Sequence, residues 1–169
     1  MHQKLDYEEI VIKLNFIFLS VLFKNKKILK TEILLKGIEK FDKKRIHIVN
    51  EIKDYFFGKR YSFNLDLINF ESLTPFKKDL FYFLSLIPRG KVTTYKNLSS
   101  IIKREKSQRA IGFALSKNPF PIIIPCHRVI KSDLTIGGYS YGEEIKRKIL
   151  IFEGVEFENK NRVKKEFVL

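Results

Sequence analysis

Three prolines within seven residues, Pro119, Pro121 and Pro125, bracket the apolar run Ile122-Ile123-Ile124 and deliver the only cysteine of the chain, Cys126. Proline has no N–H and its ring clashes with the preceding helical turn, so no helix runs through this stretch. The pattern predicts a short buried strand that emits Cys126 at its end. A thiol is a nucleophile only as thiolate, and at an ordinary pKa near 8.5 little of it is ionised at neutral pH, so a reactive Cys126 needs a base or a positive neighbour. His127 and Arg128 follow directly. Consecutive strand residues point to opposite faces, so contact between Cys126 and His127 requires a turn or a bridging water. Lone cysteines are commonly small buried hydrophobes, and the segment by itself leaves that reading open.

One cysteine cannot form an internal disulfide, which fits a reducing compartment and a cytoplasmic protein. Only His2 and His47 accompany His127, so neither a zinc site nor any other metal site is expected. The apolar stretch from Leu14 to Phe23 is too short for a membrane span, and no basic segment precedes it, so neither a signal peptide nor a membrane partner is expected. The 33 Lys and Arg against 19 Asp and Glu leave a net charge of +14, which suits a polyanionic partner such as nucleic acid or an anionic membrane surface, although nucleotide bias or thermal adaptation also produces Lys-rich surfaces. Residues 1–71 hold 14 basic and 10 acidic side chains, a net +4, against +10 for 72–169, so a polyanion site belongs mainly to the second half.

Residues Ile10 to Leu35 read as two strands joined at Lys24-Asn25-Lys26-Lys27. From Lys43 to Phe57, Ile46, Val49, Ile52 and Phe56 recur at helical spacing, and Gly58 stands where a helix end takes left-handed backbone. Lys59 to Glu71 lacks such a period and is expected to link two domains, 1–71 and 72–169, in an α+β protein. Thr74 before Pro75 is a helix start, with Phe76, Leu80, Phe83, Leu84 and Ile87 as its apolar stripe up to Pro88. Thr94 and Ser107 can cap two short helices joined by Lys103-Arg104-Glu105-Lys106, a pattern shared by helix-turn-helix motifs and ordinary helical hairpins. Gly137-Gly138-Tyr139-Ser140-Tyr141-Gly142 permits close approach to a ligand or forms a plain turn. A last helix starts near Glu143, with Ile145, Ile149 and Phe152 on one face. Glu153 falls in its final turn, where the helix dipole disfavours a carboxylate, a mild hint of another role.

Together, Ile87-Pro88-Arg89-Gly90, Thr94-Tyr95, Arg109-Ala110-Ile111-Gly112, Asn118-Pro119, Ile124-Pro125-Cys126-His127-Arg128-Val129, Gly138-Tyr139-Ser140 and Glu153-Gly154 resemble the O6-alkylguanine-DNA alkyltransferase family in order and spacing over residues 74–156. The first half resembles that family weakly, chiefly through Tyr55-Phe56-Phe57-Gly58-Lys59, and the resemblance implies a ribonuclease H-like domain there. For the second half it implies a mainly helical domain with a helix-turn-helix that binds double-stranded DNA in the minor groove.

The implied activity is irreversible transfer of the alkyl group from O6-alkylguanine to Cys126, without cofactor, with O4-alkylthymine a further candidate substrate. The resemblance makes His127 the base that acts through a water, Glu153 the group that orients it, and Tyr95 a donor to the purine ring. Ser140 would face the guanine O6, beside Tyr139, and carbonyls near Cys126 and Val129 would accept from the exocyclic amine. Arg109 would fill the place of a flipped-out base, on a DNA-binding stretch with Ser107, Gln108, Ala110 and Gly112, and Arg128 would be a further substrate- or DNA-binding residue. Asn118 would join that helix to the active-site segment, and the protein is expected to be a monomer.

Two positions depart from the family pattern: Tyr141 could narrow the pocket mouth against bulky groups such as benzyl, and Phe113 could pack inward or touch DNA. Two other readings compete. One is a module that flags lesions without transfer, although such relatives lack the cysteine; the other is a Cys-His hydrolase, which would need an oxyanion hole and a further base.

Overall fold

The structure, a computed structural model, describes residues 7–169. It divides into two compact units: one runs to Ser72 and takes in Pro119–Ile123, and the other comprises Leu73–Asn118 and Ile124–Leu169.

The first unit is an antiparallel meander of β1 (Tyr7–Leu14), β2 (Ile17–Lys24) and β3 (Lys27–Leu34), followed by helix α1 (Ile46–Phe56). There are three strands where two were expected. The additional turn lies at Asn15-Phe16, where Leu14 pairs with Ile17 and Asn15 takes φ 54°. Asn25 does the same at the second turn with φ 59°. Two-residue hairpin loops require such left-handed backbone, and asparagine tolerates it better than other side chains.

Alternation along the strands buries Ile10, Ile12 and Leu14 of β1 and Ile17, Leu19, Val21 and Phe23 of β2. In β3 the inward set changes phase from Ile28 to Thr31 and Ile33, because a bulge opposite Leu22 and Phe23 inserts Leu29 into β3. A 3₁₀ turn, Lys43–Arg45, leads into α1, which buries Val49, Ile52, Tyr55 and Phe56 and ends at Gly58 with φ 78°.

The stretch 59–71 is not a free linker. Asn69 donates its N–H to the Ile28 carbonyl at 2.8 Å, and Phe63 and Ile68 are buried. Nor do residues 119–124 form the expected strand. They are turns, with Ile122 at φ 72°, and their carbonyls bond across to β3: Thr31 donates its N–H to Pro119 O at 2.8 Å and its hydroxyl to Pro121 O at 2.9 Å. Pro119 and Pro121 have no N–H to give to a ladder, and their carbonyls accept from Thr31 instead.

The second unit carries α2 (Pro75–Ser85), β4 (Thr93–Thr94), α3 (Tyr95–Ile101), α4 (Gln108–Ser116), β5 (Val129–Ile130) and α5 (Glu143–Phe152). Thr74 accepts from Lys77 N–H at the start of α2, and Thr94 accepts from Asn97 N–H at the start of α3. Ser107 precedes α4 without a side-chain cap, its hydroxyl bonding instead to the Arg104 carbonyl and lying 3.2 Å from that of Ser99. Strands β4 and β5 pair in parallel, over a core of Val92, Ile130, Ile136, Leu150, Val155 and Val163. No helix among the described residues is long and apolar enough to cross a membrane.

Candidate active site

Cys126 is set by two consecutive turns. Pro125, at φ −79° and ψ 61°, is the centre of an inverse γ-turn closed by Cys126 N–H to Ile124 O at 2.8 Å. Cys126–Arg128 then form a 3₁₀ turn that runs into β5. At three residues per turn, successive side chains diverge by about 120° rather than alternating, which removes the geometric objection to the Cys-His dipeptide. The chain excursion before it is pinched at its base by Asn118 Nδ2, which donates to Ile124 O at 3.0 Å and to Cys126 Sγ at 3.1 Å.

The sulfur lies on the wall of a cavity of about 350 Å³ lined by Tyr95, Gly112, Leu115, Ser116, Cys126, Gly138, Tyr139 and Ser140. Cys126 is only 6% exposed, and burial raises its thiol pKa, although the Asn118 amide and the charge of Lys146 pull it back. Tyr139 has a buried hydroxyl without a hydrogen bond of ordinary geometry among the described residues, and a weak interaction with the sulfur adds slightly to the lowering of the thiol pKa. Burial, and then the neighbouring Cys126, raise the pKa of Tyr95, which keeps its phenol protonated.

Behind the cysteine lies a buried ionic cluster. His127 Nε2 is 3.0 Å from Glu153 Oε1, while Arg128 grips the same carboxylate with Nε at 2.9 Å and Nη2 at 2.8 Å and donates Nη1 to Ile87 O at 2.6 Å. Burial alone would raise the pKa of Glu153, but the His127 and Arg128 contacts outweigh it and take it down to about 2. Burial lowers the pKa of His127 against the opposing pull of Glu153, so the imidazole is neutral at neutral pH. A neutral imidazole beside a carboxylate donates Nε2–H to it. That leaves Nδ1, which has no hydrogen-bond partner among the described residues, as the basic nitrogen.

The carboxylate's unfavourable helix-end position is thereby explained: Glu153 is the C-cap of α5, held there by Arg128. Gly90 permits the arrangement. Its φ is 76°, and a Cβ there would stand 3.2 Å from the Glu153 carbonyl oxygen.

Family membership rests on a family profile and on relatives matched over about three quarters of this chain. The profile described as "6-O-methylguanine DNA methyltransferase, DNA binding domain" matches residues 75–155. A methylated-DNA–protein-cysteine methyltransferase of Methanothermobacter thermautotrophicus is 35% identical over 132 residues, 75% of this chain and 74% of the relative. The chain belongs to this methyltransferase family. A homologue so named from Methanosarcina barkeri is 38% identical over 76% of this chain and 86% of its own. Among solved structures, the OGT of Mycobacterium tuberculosis in complex with DNA superposes with a TM-score of 0.71 at 26% identity, covering 85% of this chain and 90% of that one.

Of the residues singled out by resemblance to the methyltransferase family, Tyr95, Gly112, Cys126, Tyr139 and Ser140 meet at the cavity, and Asn118 touches the sulfur. Ser140 also donates its hydroxyl to Ser116 O at 3.1 Å. Gln108 is half-buried at the start of α4, Ser107 half-buried just before it, and Arg109 and Ala110 are exposed there. Arg128 is not available to DNA: it is 2% exposed and its guanidinium is engaged by Glu153 and Ile87. Val129 is fully buried, and its carbonyl already accepts from Lys146 Nζ at 2.7 Å. Tyr141 lies outside the cavity lining, its ring 5.6 Å from that of Tyr139.

Sequence reasoning missed Lys146. It is 1% exposed and donates to Ile136 O at 2.5 Å as well as to Val129 O, joining β5 to the start of the glycine-rich loop. Burial lowers its pKa to about 8. The available signal was a lysine set among Ile145, Ile149 and Leu150 on the apolar face of α5.

Proposed function

We propose that this protein repairs DNA by direct reversal, taking the alkyl group of O6-alkylguanine onto Cys126 once per molecule. The observation that carries the reading is a single sulfur on the wall of a nucleobase-sized cavity, with a neutral imidazole fixed by a buried carboxylate next to it in the chain, in a member of this methyltransferase family. In the reaction the proton of the Cys126 thiol passes through a water to His127 Nδ1, and Glu153, held in place by Arg128, stabilises the resulting imidazolium. The sulfur attacks the alkyl carbon, the carbon–oxygen bond breaks, and its electron pair leaves with the guanine. Tyr95, held protonated, donates a hydrogen bond that offsets the developing charge. The product thioether is a poor leaving group, so the protein is consumed.

A base edge inside a stacked duplex is out of reach of this sulfur, so the nucleotide must be flipped out, at roughly a few kcal/mol. Helices α3 and α4 serve as the helix-turn-helix in the minor groove, with Arg109 filling the vacated place and Ser140 facing O6. O4-alkylthymine is a second substrate of the same cavity. The protein acts as a cytoplasmic monomer on double-stranded DNA, with its catalytic domain at 72–169. The first domain, 1–71, is of ribonuclease H-like type, a reading supported by its antiparallel meander and following helix.

The deciding experiment mixes the protein with a duplex carrying O6-methylguanine and weighs it intact and after digestion. A stoichiometric gain of one methyl on the Cys126 peptide is expected. Tight binding with no mass change would instead mark a lesion-flagging module, and turnover of ester or peptide substrates a hydrolase.

A further inference from the structure

Helix α4 presents a side chain that neither the core nor the cavity uses. Its inward face is filled by Ile111, Ala114 and Leu115, and Gly112, Leu115 and Ser116 line the cavity. Phe113 does neither and is 67% exposed. We infer that Phe113 is a second wedge into duplex DNA: its ring packs against the base pair beside the nucleotide that enters the cavity. The inference rests on the reading that the cavity receives a base extruded from a duplex.

Three observations select this partner. Phe113 lies four residues after Arg109, one turn on along the same exposed side, next to the cavity-lining Gly112. Four residues rise about 6 Å along a helix, close to the two steps of about 3.4 Å that flank one nucleotide in a strand. Finally, the surroundings are cationic: Lys103, Arg104, Lys106, Arg109 and Lys117 are exposed, and Glu105 is the single acidic residue between Ile101 and Asn118. A polyanion with flat apolar faces in its interior matches both the ring and the charge, whereas an apolar protein surface would match only the ring. Apolar side chains that wedge between base steps widen and kink the duplex, which lowers the cost of extruding the neighbouring base.

The test compares the parent, Phe113→Ala and Phe113→Trp, each carrying Cys126→Ser to prevent transfer, on a duplex with O6-methylguanine, across a series of salt concentrations. Phe113→Ala is expected to weaken binding about tenfold, as loss of an aromatic–base contact does. The slope of log affinity against log salt stays the same, because no phosphate contact is lost. Phe113→Trp retains the affinity, and the unfolding midpoint of Phe113→Ala stays at or above the parent's. Undiminished binding by Phe113→Ala overturns the wedge, and so does a loss accompanied by a changed salt slope or a lowered midpoint. Failure of the unsubstituted protein to gain a methyl on Cys126 is a separate result that overturns the repair reading instead.

Discussion

In the first unit the inward positions of β1 and β2 are Ile10, Ile12, Leu14, Ile17, Leu19, Val21 and Phe23, with the Ser20 hydroxyl bonded to Glu9. The second unit has an apolar core around Val92 and Leu150 too. Beside it, however, it buries His127, Arg128 and Lys146 at 1–2% exposure, together with the Glu153 carboxylate. Alternation fills the first interior mainly with apolar groups that need no partner, Thr31 with its bond to Pro121 O being the exception. The second holds groups each of which would be costly to bury alone, so its stability depends on every partner being present. A core of the first kind serves only to fold, whereas the second also keeps an imidazole neutral and oriented.

Removing one member of the ionic cluster should therefore have the largest effect. Arg128→Ala leaves Glu153 buried with only His127, and truncating a buried ion pair costs about 4 kcal/mol. In the first unit, Leu19→Ala should cost about 3 kcal/mol through a cavity. Denaturant unfolding measures both. The comparison is sharpened if alkyl transfer under folding conditions collapses in Arg128→Ala and is unchanged in Leu19→Ala. It breaks if Arg128→Ala costs less than Leu19→Ala.

Acid should find the same cluster. The folded-state pKa of Glu153, about 2, lies below its ordinary 4.5. Its contribution to stability is therefore complete above about pH 4.5 and is lost as pH falls toward 2, amounting to about 3 kcal/mol. The depressed pKa of His127 places the acid limb of the transfer rate below the ordinary 6.5. A stability curve that is flat between pH 4.5 and 2 in the parent, or unaltered by Glu153→Gln, would remove the contrast with the first unit.

These differences also explain which parts could be read from residues alone. Helices α1, α2 and α5 follow from apolar periodicity and from Thr74, Pro75 and Gly58, because helix ends are determined by local backbone chemistry. The turn at Asn15-Phe16 is masked in the sequence because its second residue is apolar and the hydrophobic run continues through it. The strand expected before Cys126 failed for a tertiary reason, since the 119–123 segment bonds to Thr31 from far along the chain. At the site, the motif placed the cysteine, imidazole and carboxylate in one family pattern. That Arg128 faces inward, that Lys146 is buried, and that Leu115 and Ser116 complete the cavity are properties of packing rather than of local sequence.

Lys146 supplies an intermediate effect. Lys146→Met preserves length and removes the donor to Val129 O and Ile136 O, so two buried carbonyls lose a partner, at about 2 kcal/mol. With the cation gone the Cys126 thiol is held further above its ordinary pKa, and transfer slows. A variant as stable and as fast as the parent would show that the loop beyond Ile136 holds its shape without this tie.

The smallest effect belongs to Tyr141. If its side chain blocked the cavity mouth, Tyr141→Gly would speed transfer of benzyl groups. The ring instead lies against Tyr139, tilted by 53° with centroids 5.6 Å apart, and the cavity wall at that point is Tyr139 itself. An aromatic pair of this kind contributes about 1 kcal/mol. Its removal should lower stability by that amount and loosen Tyr139 beside the sulfur, leaving the ratio of benzyl to methyl transfer rates nearly unchanged. A selective rise in benzyl transfer would mean that Tyr141 swings over the mouth when substrate binds, and the glycine-rich loop would then be a mobile part of a unit whose ionic interior is otherwise fixed.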